Sequence, residues 1–209
     1  MPIPQASSQA YAAYNEIKRR ILAGVFAPGS RLREVDVAGQ LSLGRTPVRE
    51  ALKRIQDEGL LRQEPGRGLV VAVMDQQEVG ELYAMREALE STAAAHAALH
   101  ATEAEILNME AILQEGGDDP VALNLRFHEA IYSAAHNRYL IRLLRSLTDT
   151  TYLLGRSTLA APERAEVAQR EHAGIVAAIR QRNPEAAARA ARDHIHHALL
   201  ERLKMLRQR

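Results

Sequence analysis

Between Gly44 and Val71 the chain reads GRTPVREALKRIQDEGLLRQEPGRGLVV, and few folds accept such a run. A helix-start proline is followed by apolar residues at helical spacing, Val48, Ala51, Leu52 and Ile55, and the periodicity stops near Gly59. Two short stretches, 60–64 and 69–73, then alternate around Pro65-Gly-Arg-Gly68, which is the signature of two strands joined by a tight turn. Thr46 is placed as the N-cap of this helix and Pro47 at its first position, where a missing N–H costs nothing.

Upstream, Tyr11, Tyr14, Ile17, Ile21 and Leu22 form the stripe of an amphipathic helix from Ser8 to Leu22, ended by Gly24. Phe26-Ala-Pro-Gly-Ser30 is turn chemistry. A short helix with Leu32, Val35, Val37, Ala38 and Leu41 follows, and residues 41–47 turn into the cationic helix. Helix, turn, helix and Gly-tipped hairpin in this order predict a winged helix-turn-helix. In such a module Arg45 and Arg49, four residues apart, share the outward face at the start of the second helix. Arginine at that place can bond guanine edges in the major groove, and helix-start N–H groups favour phosphate. Thr46 is small enough to touch a phosphate or a thymine methyl, and Gly66, Arg67 and Gly68 let a wing tip approach the backbone closely.

Charge supports a polyanion partner. Residues 1–70 carry 11 Lys and Arg against 7 Asp and Glu, whereas residues 71–209 carry 16 against 19. The chain lacks cysteine, which removes disulfides, thiolate nucleophiles and Cys-held zinc. MPIPQASSQA has no basic start followed by an apolar run, and no window nears about 18 uninterrupted apolar residues. The expectation is a cytoplasmic protein without a membrane segment.

From Asp75 onward the pattern is wholly helical. Six segments are expected at about 76–100, 103–115, 121–136, 138–155, 162–181 and 184–207, broken by Gly116-Gly-Asp-Asp-Pro120 and by Asn183-Pro184. The fold class is therefore mainly α, with a winged helix-turn-helix over 1–74 and a six-helix antiparallel bundle over 75–209. Asn124 and His128 face one way on the third bundle helix, and antiparallel packing of the last two helices brings His172 level with His194. Three imidazoles and an amide oxygen suit zinc, nickel or manganese with open positions. His96, His100, His136, His196 and His197 are read as ordinary core or surface residues.

The runs Gly29-Ser-Arg-Leu-Arg-Glu34, Arg45-Thr-Pro-Val-Arg-Glu-Ala-Leu52, Glu58-Gly-Leu-Leu61 and Gly66-Arg-Gly68 resemble the GntR family of bacterial transcription regulators. Arg86-Glu-Ala-Leu-Glu90, Phe127-His-Glu-Ala-Ile131, Ala134-Ala-His-Asn137, Glu171-His172 and His194-Ile195 resemble the helical FCD domain that many of these regulators carry. Six helices rather than seven place it nearer the VanR-like subgroup. The resemblance implies a homodimer on an inverted-repeat, double-stranded DNA operator, contacted by Arg33, Arg45, Thr46, Pro47, Arg49, Gly66, Arg67 and Gly68. It also implies a metal held by Asn124, His128, His172 and His194, and a small carboxylate effector paired with Arg86. Asn124 stands where the family usually has Asp, Ser42-Leu-Gly44 where it has Gly-Val-Ser, and Val35 where some members carry a base-reading Arg. The competing expectation is a metal-dependent hydrolase with a docking domain, whose general base would be Glu129 or Glu171. No His-Glu-x-x-His or Glu-x-x-His run surrounds the three His. A regulator with a purely structural metal and no effector is a third.

Overall fold

The computed structural model describes residues 8–115 and 119–208. Gly116, Gly117 and Asp118 of the expected breaker, and the first seven residues of the expected leaderless start, lie outside the described residues. Two compact units are present, one formed by the chain up to Met74 with Thr148–Gly155, the other by Asp75–Leu147 with Arg156 onward.

In the first unit α1 (Ser8–Leu22), α2 (Glu34–Leu41) and α3 (Arg45–Asp57) surround a core of Ile17, Ile21, Leu32, Val37, Val48, Leu52 and Ile55. The apolar stripe of α1 differs from the expected one. Ala10 and Ala13 are buried, because their small side chains allow close approach, whereas Tyr11 turns outward and is 56% exposed. Val35 on α2 is likewise exposed.

The start of α3 corrects the expected cap. Gly44 is the N-cap, in extended conformation, and Thr46 is the second helical residue, with its side chain exposed. Pro47 is third rather than first. It is tolerated there because the first four N–H groups of a helix have no intrahelical acceptor. Ser42 ends α2 in the left-handed region at φ 53°, where the Leu43 N–H donates to the Ala38 carbonyl, and so sets the turn between the helices.

The hairpin pairs β1 (Leu61–Glu64) with β2 (Gly68–Val71), Leu61 opposite Val71 and Glu64 opposite Gly68. Pro65 presets the turn and Gly66, at φ 74°, closes it, with the Arg67 N–H donating to the Glu64 carbonyl. Arg31 bridges to Val70 and adds a third short edge.

After the hairpin the chain forms α4 (Gln76–His100), α5 (Glu103–Gln114), α6 (Pro120–Ala134), α7 (Arg138–Thr151), α8 (Pro162–Arg180) and α9 (Pro184–Arg207), with single 3-10 turns at Tyr152–Leu154 and Thr158–Ala160. Local chemistry fixes the helix starts. Asp75 with Glu78 and Thr102 with Glu105 form reciprocal capping boxes. Asp119 and Asn183 cap helices whose first residue is proline. Ala93, Ala94, Ala97 and Ala98 of α4 and Ala187 and Ala191 of α9 are buried in one core with Phe127, Ile131, Ile175 and Ile179.

The expected second domain is the continuous stretch 75–209, and one short piece of that stretch packs with the first unit. Residues 148–155 at the end of α7 belong to the first unit. Leu153 is buried in that unit's core, and Asp149 bonds Lys18 at 2.7 Å, which also reaches Glu58 at 2.8 Å.

Candidate functional site

Within the first unit the cationic face is intact but not bare. Arg45, Thr46 and Arg49 are exposed on α3, Arg33 is the exposed N-cap of α2, and Pro47 is half-buried beside them. Glu34, in the first turn of α2, grips Arg49 with two parallel bonds of 2.9 Å and stands 3.9 Å from Arg45. Such a fork pre-orients the guanidinium while partly cancelling its charge. At the wing Arg67 bonds Glu64 at 2.7 Å and the Gly29 carbonyl at 2.8 Å. Gly66 and Gly68 both have positive φ, and a Cβ at Gly68 would lie 3.5 Å from the Arg31 guanidinium.

In the second unit, α6, α8 and α9 bring His128, His172 and His194 together. Their ligand nitrogens lie within 4.8 Å of one another, and all three rings are buried. His172 Nε2 is 3.3 Å from His194 Nε2. Two nitrogens each 2.0–2.1 Å from one tetrahedral ion stand about 3.4 Å apart, so this spacing fits a metal. His128 Nδ1 lies 2.8 Å from Glu90 Oε2, and its Nε2 is buried with no partner among the described residues. His194 Nδ1 lies 2.7 Å from Glu171 Oε2. A carboxylate behind the imidazole fixes the tautomer with Nε2 free for a metal, an arrangement present here twice. Phe127 stacks on His172 with ring centres 4.2 Å apart and holds its plane.

Electrostatics keep His172 and His194 neutral and Glu90 and Glu171 charged. Burial, reinforced by the neighbouring imidazoles, pushes His172 well below the ordinary histidine range. Burial lowers His194 to about 4 although Glu171 pulls the other way. Burial would raise Glu90, but Arg86 and His128 outweigh it and hold the carboxyl below its usual range. Glu171 is held at about 2 because its bonds to His194, His197 and Arg164 overcome burial. Neutral imidazoles are the form that binds metal.

Asn124, one turn before His128, lines a cavity of about 50 Å³ with Phe127, Leu159, Gln169 and His172. Arg86, expected to meet a ligand carboxylate, gives Nε to Glu90 at 2.9 Å and lies over the Tyr83 ring. Sequence reasoning passed over Glu90 and Arg164, and gave Glu171 a different task. Glu90 lies one turn after Arg86 on α4, a spacing visible in the chain, but its partner His128 is on another helix. The hydrolase reading loses both proposed bases, since Glu129 is ion-paired with Arg145 and Glu171 is shared among His194, His197 and Arg164. Among the other histidines His136 pairs with Glu105 and His196 with Glu87. No helix among the described residues is long and apolar enough to cross a membrane.

Comparison with known proteins agrees with both units. Residues 9–71 match the family described as bacterial regulatory proteins, gntR family, and residues 81–197 match the FCD domain. The HTH-type transcriptional regulator YdhC of Bacillus subtilis (strain 168) is 31% identical over 193 residues, 88% of this chain and 86% of that protein. Among solved structures, E. coli McbR/YncC superposes with a TM-score of 0.75 at 24% identity, covering 96% of this chain and 98% of that one. A GntR transcriptional regulator from Rhodococcus sp. RHA1 gives 0.76 at 22% identity, covering 95% and 99%. A cationic helix-turn-helix with a Gly-tipped wing, joined to a helical unit with three converging histidines, is thus a DNA-binding transcription regulator and not an enzyme, and the chain belongs to the GntR family, with an FCD domain.

Proposed function

We propose that this regulator binds an inverted-repeat operator as a homodimer, and that a small organic acid at a three-His metal site modulates the binding. The observation that carries the reading is the convergence of His128, His172 and His194 with Glu90 and Glu171 behind two of them. Buried imidazoles with carboxylates behind them are the donor set of a metal site. His128, His172 and His194 hold the ion, zinc, nickel or manganese, and Asn124 stands beside the cavity as a weaker oxygen donor. When bound, the metal supplies a Lewis-acidic centre that accepts a carboxylate oxygen. A cavity of about 50 Å³ beside His172 and Asn124 gives the acid's carboxylate a place to enter.

On the DNA side Arg45 and Arg49 read base edges, Thr46 and Arg33 meet phosphate, Pro47 sets the helix start, and Gly66, Arg67 and Gly68 bring the wing to the backbone. Two half-sites require two recognition helices, hence the dimer. An acid regulates only through unequal affinity for the two states of the protein.

The test is retention of genomic promoter fragments by the purified chain across a salt series, with and without chelator and with small carboxylic acids. Specific retention with a steep salt slope, altered by chelator or acid, is the expected result. Sequence-blind retention in every condition refutes operator binding. Specific retention untouched by chelator and by every acid refutes the modulation.

A further inference from the structure

Beside the three-His group the second unit buries a cation whose hydrogen bonds are incomplete. Arg164, in the first turn of α8 and 7% exposed, gives Nη2 to Glu171 Oε2 at 2.9 Å. Its Nε and Nη1 are buried and meet no acceptor among the described residues. Donors withheld from water without an acceptor are costly, and more so on a charged group. Glu171 cannot meet the need, because Oε2 is shared with His194 and Oε1 is taken by His197 at 2.7 Å. Arg86 is different, since its Nε and Nη2 both bond Glu90, which is buried with it.

Charge leads to the same place. Arg86 balances Glu90 and Arg164 balances Glu171. A divalent ion on three neutral imidazoles and the neutral Asn124 then leaves two positive charges without a counterion in a buried region. One carboxylate neutralises half of that excess. The cavity along α8 is lined by Ala165 and Ala168, one and four residues beyond Arg164, and extends to His172 and Asn124.

Resting on the effector-site reading above, we propose that Arg164 anchors a second acidic group of the effector. The site is built for a dianion, with one carboxylate for the metal and the other accepting from the unused N–H groups of Arg164. A planar guanidinium suits a carboxylate in this role, where an ammonium offers only a point charge.

The test is calorimetric titration of the zinc-loaded full chain, at constant ionic strength, with acetate, propionate and butyrate, with malonate, succinate and glutarate, and with inorganic phosphate. In the unaltered protein at least one dicarboxylate should bind about ten- to a hundredfold more tightly than the monocarboxylate of equal length. Arg164→Gln should remove that preference and Arg164→Lys should keep only part of it, each measured on protein that a separate titration with the metal alone shows to be zinc-loaded. If Arg164→Gln does not fold, the partial loss in Arg164→Lys carries the test. Equal binding of mono- and dicarboxylates, or a preference that survives both substitutions, overturns the proposal and leaves the effector site standing. Phosphate binding as tightly as any dicarboxylate, and lost with Arg164, assigns the anchor to a free anion and also overturns it. Binding of none of these acids refutes the effector-site reading and the proposal with it.

Discussion

Acidifying the metal-free protein should weaken it in a window that belongs to the histidines alone. An unfolded histidine titrates near 6.5, whereas burial holds His194 at about 4 in the folded chain and His172 well below its ordinary range. Above pH 6.5 both states are neutral and nothing changes. Below it the unfolded chain takes up a proton that the folded chain refuses, so stability falls by about 1.4 kcal/mol per pH unit for each such histidine. Over the two units from 6.5 to 4.5 His194 alone accounts for a loss of about 2 kcal/mol, a sizeable part of a usual total of about 5–15 kcal/mol. The carboxylates do not contribute in this window. Glu90 and Glu171 have lowered values, so the stability they add is complete above their ordinary 4.5 and is lost only below it. The assay is urea unfolding of chelator-treated protein, followed by far-ultraviolet circular dichroism from pH 7.5 to 4.5, for the unaltered chain and His194→Gln. Stability should fall with acid in the first, and the variant should lose about one proton's worth of that slope. Equal slopes, or stability rising toward pH 4.5, would refute the account of His194 as a buried neutral base.

Arg49→Ala should weaken operator binding by about 1–3 kcal/mol, while Glu34→Gln, which frees the guanidinium, should raise affinity for random duplex DNA roughly three- to tenfold and reduce selectivity. Fluorescence anisotropy on both DNAs checks the pair, and unchanged random-DNA affinity in Glu34→Gln counts against the clamp. Asn124→Asp should raise zinc affinity on the order of tenfold, read by competition with a chromophoric chelator. Equal affinity would mean that residue 124 does not reach the ion. Phe127→Ala removes a buried ring that stacks on His172, and should cost about 3–5 kcal/mol in urea unfolding as well as loosening zinc.

What could be read from the chain depends on how far apart the partners lie. The winged module is legible because its determinants are neighbours: Pro65 with Gly66 in the wing turn, and Val48 to Ile55 along one helix face. Helix starts are legible for the same reason, as Asp75 meets Glu78 and Thr102 meets Glu105 within one turn. Even there Pro47 misled, since a proline fits any of the first few positions and so cannot distinguish Gly44 from Thr46 as the cap. Tyr11 and Val35 misled differently, because periodicity weighs residue type and cannot see that Ala10 and Ala13 pack closer than a ring could. The three histidines come into view as chemistry that needs partners, and α8 and α9 do set His172 against His194. Their supporting charges do not come into view. Glu90 serves a histidine 38 residues away and Glu171 one 23 residues away, each across a helix interface. Glu171 stands beside His172 in sequence, where it suggests a general base, yet its bonds go to His194, His197 and Arg164. Lys18 and Asp149 are further still, 131 residues apart, and no pattern along the chain announces that residues 148–155 pack with the first unit. Spacing along one helix tells which side chains share a face, and only the packing of a second helix decides which charge each of them must answer.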